Sequence, residues 1–316
     1  MKKNIIISVS ILLLVGVCAL SSCRKLITDE FPDKKPKPTI NSILQDGEYI
    51  QIHVSLSGKI DTMPLGGVEN AVVKLFENGI FVEILEYEDD GFYTSTISAK
   101  QGNNYVFEVS IPNFEPVRSE VYLPNSEFIR KIEHINNAGR DQDGLSCPAL
   151  RITFTTNPSE QQFFELSVRM VSEHTDYTWD KDSNRWVSGA TYTSYSPVTL
   201  LNIFDPVILG EGFPIPVFSN RMIRDTVYTM YLEYTTNRAS SINHEPIQMT
   251  LYPLLIELRS ISESYYHYLR SFYLYDRESW IGEIYPPHSL YSNVDGGYGI
   301  VGAFSKHTYD TIFPQR

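Results

Sequence analysis

Cysteine is rare in this chain: among its 316 residues it occurs only as Cys18, Cys23 and Cys147. If residues 1–22 are removed, Cys18 is lost, and if Cys23 is lipidated, Cys147 is the only free thiol. No intrachain disulfide can then form. A domain folded outside the reducing cytoplasm must then depend on its hydrophobic core. The composition allows such a core, since hydrophobic residues make up 42% of the chain and charged residues 20%.

Basic residues are fewer than acidic residues in this chain. The chain has 26 Lys and Arg against 38 Asp and Glu, which gives a net charge of −12. A nucleic-acid-binding protein needs a cationic face against phosphate, so we exclude nucleic acid as a partner. Electrostatic adhesion to anionic lipid is disfavoured for the same reason.

The motifs of common hydrolases are missing as well. The sequence has no G-x-S-x-G and no H-E-x-x-H, and its seven His residues are scattered without metal-ligand spacing. Cys147, in a Ser-Cys-Pro context, is the one candidate nucleophile, but a buried, unreactive thiol is the commoner role. We therefore expect a protein that is not an enzyme and has no cofactor and no metal site.

The N-terminus has the pattern of a signal peptide. Lys2 and Lys3 precede an apolar run at residues 5–20, which is too short for a typical membrane-spanning helix. The run ends in Leu-Ser-Ser-Cys at residues 20–23, which resembles the lipobox of bacterial lipoproteins. This pattern predicts cleavage after residue 22 and lipidation of Cys23, and the alternative is a membrane-anchored or secreted chain with a chance Ser-Ser-Cys.

Processing at this site changes both the charge and the anchoring. Removal of residues 1–22 deletes two lysines, so the mature charge is 24 − 38 = −14. Two or three acyl chains at about 0.8 kcal/mol per buried CH₂ hold a protein permanently in a lipid bilayer. Residues 23–38 follow as a tether, in which Pro36 and Pro38 favour extended backbone. At about 3.1 Å per residue the tether spans up to roughly 50 Å, although a stub without a role is the alternative.

Residues 39–125 have the pattern of a small β-sandwich. Apolar and polar residues alternate over residues 49–56, as in a half-buried strand. Asn78-Gly79 is a strong hairpin signal, and Asp89-Asp90-Gly91 predicts a second turn that leads into a strand. Turn signals spaced by 8–12 residues favour an Ig-like sandwich.

Residues 126–316 predict a second, mostly β domain with one amphipathic helix at about 260–277. A capping box formed by Ser260 and Glu263 would begin this helix. Upstream, the strand at 150–154 and the strand at 163–170 are expected to pair as a hairpin. Glycines 296, 297, 299 and 302 next to aromatic residues predict a strand with close approach to another backbone, a bulge or aromatic packing over the gap.

The segment at residues 173–196 is the candidate binding site. Trp179 and Trp186 bracket a turn-rich stretch, and Tyr177 and Tyr192 lie beside them. Aromatic side chains anchor protein interfaces and stack on sugars, so we predict a protruding hairpin whose aromatic residues bind a ligand or partner. The alternative is a hairpin that packs its tryptophans on its own domain.

Part of the chain resembles a known sandwich. The strand pattern of residues 71–75, the turn at 89–93 and the strand at 102–109 are similar to the regulatory-like β-sandwich of carboxypeptidases and surface adhesins. Such domains usually act as spacers or presenters. The matching residues are Ala71, Val73, Leu75, Asp90, Gly91, Tyr93, Gly102, Tyr105 and Val109.

Nearly the whole mature chain resembles the domain-of-unknown-function 4249 family of Bacteroidota lipoproteins. The most specific matches are residues 260–269 and 291–304, with departures at Val294, Asp295 and Tyr298. The resemblance implies an outer-membrane lipoprotein, often encoded beside a TonB-dependent transporter, and brings no catalytic residues. We therefore expect an outer-membrane accessory to a TonB-dependent barrel in nutrient uptake. The alternative is a surface lipoprotein that binds glycan or peptide by itself.

Overall fold

The computed structural model describes residues 35–58, 66–140, 144, 146–201, 204–212, 215–235, 252–281 and 289–314. The chain divides into two units, Met1–Lys35 and Pro36–Arg316, of which the second is compact and contains all elements below. The predicted signal peptide, Cys23 and most of the tether at 23–38 lie outside the described residues.

Pro36–Arg316 is mainly β, which confirms the predicted fold class. In chain order the strands are β1 (Pro38–Gln45), β2 (Tyr49–Leu56), β3 (Val72–Glu77), β4 (Ile80–Ile84), β5 (Glu86–Tyr87), β6 (Phe92–Ser98), β7 (Asn104–Ser110), β8 (Val117–Tyr122), β9 (Ile129–Arg140), β10 (Ser146–Thr155), β11 (Phe163–Asp180), β12 (Arg185–Pro197), β13 (Thr199–Leu201), β14 (Val217–Ser219), β15 (Val227–Thr235), β16 (Leu254–Ile261), β17 (Val294–Asp295) and β18 (Tyr298–Ile312). The helices are α1 (Pro206–Glu211) and α2 (Glu263–Ile281), and a short 3₁₀ turn spans Asn220–Met222.

One long sheet crosses the boundary predicted at residues 125 and 126. Its strand order is β12-β11-β16-β18-β1-β2-β6-β5, with β14 paired to β11. The crossing depends on a parallel pairing of β1 with β18, in which Thr39 lies opposite Tyr298 and Gln45 lies opposite Phe304. Strands from both sides of the boundary therefore share one set of backbone hydrogen bonds.

Two smaller sheets pack on the same face of this long sheet. Their orders are β17-β8-β7-β3-β4 and β13-β15-β10-β9. The first core lies between the long sheet and the sheet of β3, β7 and β8, and it includes Ala303. The second core lies between the long sheet and the sheet of β9, β10 and β15, and it includes Leu258, which lies opposite His307. Ala303 and His307 are four residues apart on β18, so they point to the same side. The result is two cores under one sheet.

The opposite face of the long sheet carries α2. Tyr265 of this helix contacts Phe304 of β18, with ring centroids 6.4 Å apart, and Tyr266 contacts Phe163 of β11 at 4.5 Å. These residues belong to a third, smaller apolar cluster. The helix is thereby fixed against β18 and β11, and β11 continues into the hairpin with β12.

The predicted turns of the first sandwich are confirmed. Asn78 and Gly79 have φ of 51° and 79° between β3 and β4, and Asp90 and Gly91 have φ of 41° and 84° before β6. Two consecutive residues with positive φ match the right-handed twist of a hairpin, which is why Asn-Gly and Asp-Gly favour these positions.

The predicted start of the long helix is wrong by two residues. Ser260 lies in β16, where its Oγ accepts a hydrogen bond from Glu127 N at 3.1 Å. The capping residue is Ser262, whose Oγ accepts from Tyr265 N at 3.2 Å and from Ala303 N at 3.0 Å. The helix itself is present at Glu263–Ile281, and the short helix α1 was not predicted from the sequence.

The predicted hairpin of residues 150–154 with 163–170 is also wrong. β10 pairs with β9 and β15, whereas β11 pairs with β12, β14 and β16. The two strands lie in different sheets and meet across the second core, where Phe154 and Phe164 have ring centroids 5.8 Å apart. Both strands present apolar side chains to this core, and that pattern does not distinguish pairing within a sheet from packing between sheets.

Candidate functional site

The hairpin of β11 and β12 extends beyond the sheet that supports it. β11 pairs with β16 from Phe163 to Met170, and from Val171 to Asp180 its only paired strand among the described residues is β12. Ten residues at about 3.3 Å per residue give the free part a length of roughly 30 Å. Most of its residues between 173 and 195 are exposed.

A bulge divides this hairpin into two parts. Thr175 lies opposite Thr191 and Tyr177 lies opposite Ser188, so Asp176 on β11 faces two residues, Gly189 and Ala190, on β12. A bulge of this kind shifts the alternation of the strand that carries the extra residue. Counting alternate residues along β12 across the bulge therefore assigns the side chains beyond it to the wrong face of the hairpin.

The register places most of the aromatic residues on one face. Trp179 lies opposite Trp186, with ring centroids 5.5 Å apart and 70° between the ring planes, and Tyr177 lies on the same side two residues away. Tyr195 joins them, because it lies opposite Val171 on that side. We call Tyr177, Trp179, Trp186 and Tyr195 the aromatic face.

Three of the four predicted binding residues belong to the aromatic face, and Tyr192 does not. Tyr192 lies opposite His174 and stacks on its ring at 5.7 Å, on the reverse side of the hairpin. Tyr195 was not among the predicted residues, and simple alternation along β12 without the bulge would put it on the reverse side.

The two tryptophans are exposed. Trp179 is 42% exposed, Trp186 is 64% exposed and Tyr177 is 63% exposed. This exposure argues against the alternative of a pair that packs on its own domain. Their role in binding a ligand or partner stays a prediction.

The turn at the tip of the hairpin is held by its own side chains. Asp180 accepts hydrogen bonds from Asp182 N at 3.0 Å and from the Ser183 hydroxyl at 2.5 Å. These bonds hold the pKa of the Asp180 carboxyl below its ordinary value. Asn184 completes the turn with φ of 48°. A tip ordered in this way presents the adjacent tryptophans with little loss of conformational entropy on binding.

The base of the aromatic face is joined to a buried charge network. The guanidinium of Arg169 lies over the Tyr195 ring at 5.5 Å and donates to Glu257 at 2.7 Å. Glu257 is 3% exposed and also contacts Arg259 at 3.2 Å and Lys306 at 3.5 Å. Burial raises the pKa of Glu257, but the three cations hold it below its ordinary value. The network fixes the orientation of the strand from which the hairpin extends.

The thiol of Cys147 has the wrong surroundings for a nucleophile. Cys147 is 1% exposed, and its Sγ lies 3.7 Å from Glu233 Oε2. Burial raises its pKa, and the neighbouring carboxylate raises it further, whereas a reactive thiol needs a lowered pKa. The described residues also contain no group of three or more His, Cys, Asp or Glu side chains that could hold a metal ion.

No helix in the described part of the chain is long and apolar enough to cross a bilayer. A family model described as "Domain of unknown function (DUF4249)" matches residues 24–310. No curated protein matches the chain.

Proposed function

Because the chain belongs to the DUF4249 family, whose description assigns no function, its role has to be inferred from its surface, and we propose that it is a non-enzymatic lipoprotein of the outer membrane that docks on a TonB-dependent transporter. In this role it assists nutrient uptake. The observation that carries the proposal is the aromatic face, four exposed aromatic side chains on one side of a projecting hairpin.

Aromatic residues grouped in this way favour a protein partner. Trp and Tyr are enriched among the residues that carry most of the binding energy of interfaces. An exposed apolar patch on a soluble surface commonly marks an interaction site, and Tyr177, Trp179 and Trp186 lie next to one another near the tip of the hairpin. The edge-to-face contact of Trp179 with Trp186 gives a ridged surface, which suits a shaped protein groove better than the flat face of a sugar ring.

The anchor supports a partner in the same membrane. The lipobox at residues 20–23 predicts acylation of Cys23, and the tether at 23–38 allows up to roughly 50 Å between the bilayer and the body. A barrel that spans the outer membrane lies within this reach. Confinement to one membrane also raises the effective concentration of each partner for the other, so a modest interface suffices.

The test is affinity purification of the full chain from native outer membrane in mild detergent, with mass spectrometry of what comes along. We expect a stoichiometric TonB-dependent barrel with the wild-type protein. The variants Trp179→Ser and Trp186→Ser should each lower the recovered barrel about 10-fold or more, the loss expected for a hot-spot residue. Tyr192→Ser, on the reverse side of the same hairpin, is the matched control and should retain it.

Two outcomes would contradict the proposal. One is recovery of the wild-type protein as a free monomer. The other is equal recovery of the barrel with Trp186→Ser and Tyr192→Ser, which would show that the aromatic face has no part in the complex.

A second candidate function is a stand-alone surface lipoprotein that binds glycan or peptide. The observation that favours it is the exposure of the Tyr177 and Trp186 rings, whose faces are available for stacking. If no barrel co-purifies, arrays of glycans and peptides are the next measurement. Specific binding that disappears in the Trp179→Ala/Trp186→Ala double variant, with an unchanged melting temperature, would support this function.

A further inference from the structure

A cavity of about 680 Å³ lies where β16 ends and β11 begins, at the opposite end of β11 from the hairpin tip. Its walls come from the end of β8, the loop before β11, the first turn of α2 and the segment that precedes β17. The volume falls within the range of about 300–1,000 Å³ that is usual for ligand pockets. Residues 260–264 and 291–293, from the two segments that carry the family resemblance, meet here.

The floor of the cavity is held by hydrogen bonds within the protein. Asn293 bonds both backbone groups of Val301, through Nδ2 at 2.8 Å and Oδ1 at 2.9 Å. Ser262 caps α2 and also accepts from Ala303 N. These groups have little capacity left for a ligand, but they fix the positions of the walls.

One wall is aromatic. The ring of His267 lies 5.3 Å from the ring of Tyr291 and 6.4 Å from the ring of Phe163, and all three residues line the cavity. Tyr122 is half exposed on the facing wall. Aromatic rings provide apolar contact for the stem of a long side chain and favourable contact for a cation at its end.

Four polar side chains of the lining have few or no partners among the described residues. The side chains of Glu160, Gln161 and Asn125 make no hydrogen bond with another described residue, and the Glu263 carboxylate lies 3.7 Å from His267 Nε2. Ser260 is 3% exposed, and its hydroxyl accepts one hydrogen bond but donates none within the described residues. The amides and this hydroxyl are donors suited to carbonyl oxygens.

The electrostatics of the cavity are one-sided. Glu120, Glu160 and Glu263 contribute three carboxylates, and the described lining residues include no Lys or Arg. Glu120 is already paired with Arg118 at 3.2 Å, so the carboxylates of Glu160 and Glu263 are the two that repel an anionic ligand and attract a cation.

We propose that this cavity binds a short peptide that carries a Lys or Arg side chain. The carboxylates of Glu160 and Glu263 attract the cation, the aromatic wall contacts the aliphatic stem, and the amides of Gln161 and Asn125 bond the peptide carbonyls. The inference goes beyond docking on a transporter, since it concerns a different surface and a small ligand. Loss of the contact between the hairpin and a transporter would not change peptide binding in the cavity.

The test is calorimetric titration of the full chain in detergent with three probes of similar size: Ala-Lys-Ala, Ala-Glu-Ala and a neutral trisaccharide. We expect saturable binding of Ala-Lys-Ala alone, and weaker binding as salt is raised. The double variant Glu160→Gln/Glu263→Gln should weaken the affinity about 10-fold, as expected for two partly exposed charge contacts. The control Glu69→Gln/Glu115→Gln removes the same charge outside the cavity and should keep wild-type affinity.

Three results would overturn the proposal. The first is no binding of Ala-Lys-Ala. The second is binding of the trisaccharide that neither double variant changes, which would assign the cavity to a glycan. The third is equal weakening by both double variants, which would assign the effect to overall charge. None of these results depends on whether a transporter co-purifies, so the two proposals fail separately.

Discussion

Gly299 lies directly against the backbone carbonyl of Ile40 on the neighbouring parallel strand. A Cβ atom added to Gly299 would be 1.9 Å from the Ile40 carbonyl oxygen, and the residue has φ of 114°. Both the space and the backbone conformation therefore require glycine at this position. This contact lies at the junction of β1 and β18, which joins the two halves of the long sheet.

Replacement of this glycine should destabilise the protein strongly. We expect Gly299→Ala to lower the free energy of unfolding by about 3 kcal/mol or more, because the added carbon must displace backbone atoms in a paired strand. The measurement is urea unfolding followed by circular dichroism. Gly47→Ala is the matched control: Gly47 has φ of 82° with no atom within 4 Å of an added Cβ, so only the strain of about 1–2 kcal/mol applies. Equal losses of unfolding free energy in the two variants would contradict the close contact between Gly299 and the Ile40 carbonyl.

This junction also marks the limit of what the sequence could predict. The glycines at 297 and 299 indicated close backbone approach, and the structure confirms it: an added Cβ at Gly297 would lie 2.5 Å from the Pro38 carbonyl oxygen. The identity of the approached strand was not predictable, since β1 and β18 lie about 260 residues apart and a parallel pairing has no local turn signal. Local features such as Asn78-Gly79 could be predicted because the turn and its strands are contiguous.

The candidate site shows the same division. The position of the hairpin and its exposed tryptophans follow from residues within one contiguous segment. The side on which Tyr192 and Tyr195 lie depends on a single bulge opposite Asp176, which alternation alone does not reveal. The cavity proposed to bind peptide was beyond prediction, because its walls come from four separate segments.

The revised helix start can be tested with two serines two residues apart. Ser262→Ala removes the acceptor for Tyr265 N and Ala303 N, so it should cost about 1–2 kcal/mol of unfolding free energy and increase hydrogen exchange in the first turn of α2. Ser260→Ala removes only the bond from Glu127 N and should leave exchange in that turn unchanged. Increased exchange of the turn in Ser260→Ala but not in Ser262→Ala would restore the original prediction.

The aromatic face should contribute little to folding. Trp179 and Trp186 are exposed and their rings contact each other, so we expect either Trp→Ala substitution to change the free energy of unfolding by less than about 1 kcal/mol. Phe164→Ala on the same strand should cost about 3–5 kcal/mol, because Phe164 is fully buried in the second core. Urea unfolding of the three variants checks this, and a large loss in either Trp variant would mean that the hairpin supports the fold.

The Glu257 network should make stability depend on acid pH. Its three cationic neighbours hold the folded-state pKa of Glu257 below the ordinary 4.5 despite burial, which raises it. A lowered folded pKa means that the stabilisation is fully present above about 4.5 and is lost as pH falls through the folded value. We expect Glu257→Gln to lose about 1–3 kcal/mol at pH 7, a range reduced because the cations are partly exposed.

The difference between wild type and Glu257→Gln should shrink as pH falls from 5 towards 3, since the wild-type carboxyl becomes neutral as well. Urea unfolding at several pH values measures it. Glu115→Gln, at an exposed position, serves as the control and should differ from wild type by little at any pH. A constant difference across the range would show that Glu257 contributes through packing and not through its charge.

Cys147 provides a probe of how β10 opens. Because its thiol is buried beside Glu233 and its pKa is raised, modification by an aromatic disulfide reagent requires both opening of the structure and deprotonation. At pH 8 we expect negligible labelling of the native protein over minutes and complete labelling of one thiol in urea. The measurement needs the lipidated form, in which the predicted acylation of Cys23 leaves Cys147 as the only thiol. Rapid stoichiometric labelling without denaturant would mean that β10 opens readily, and the Cys147→Ala variant would confirm which sulfur had reacted.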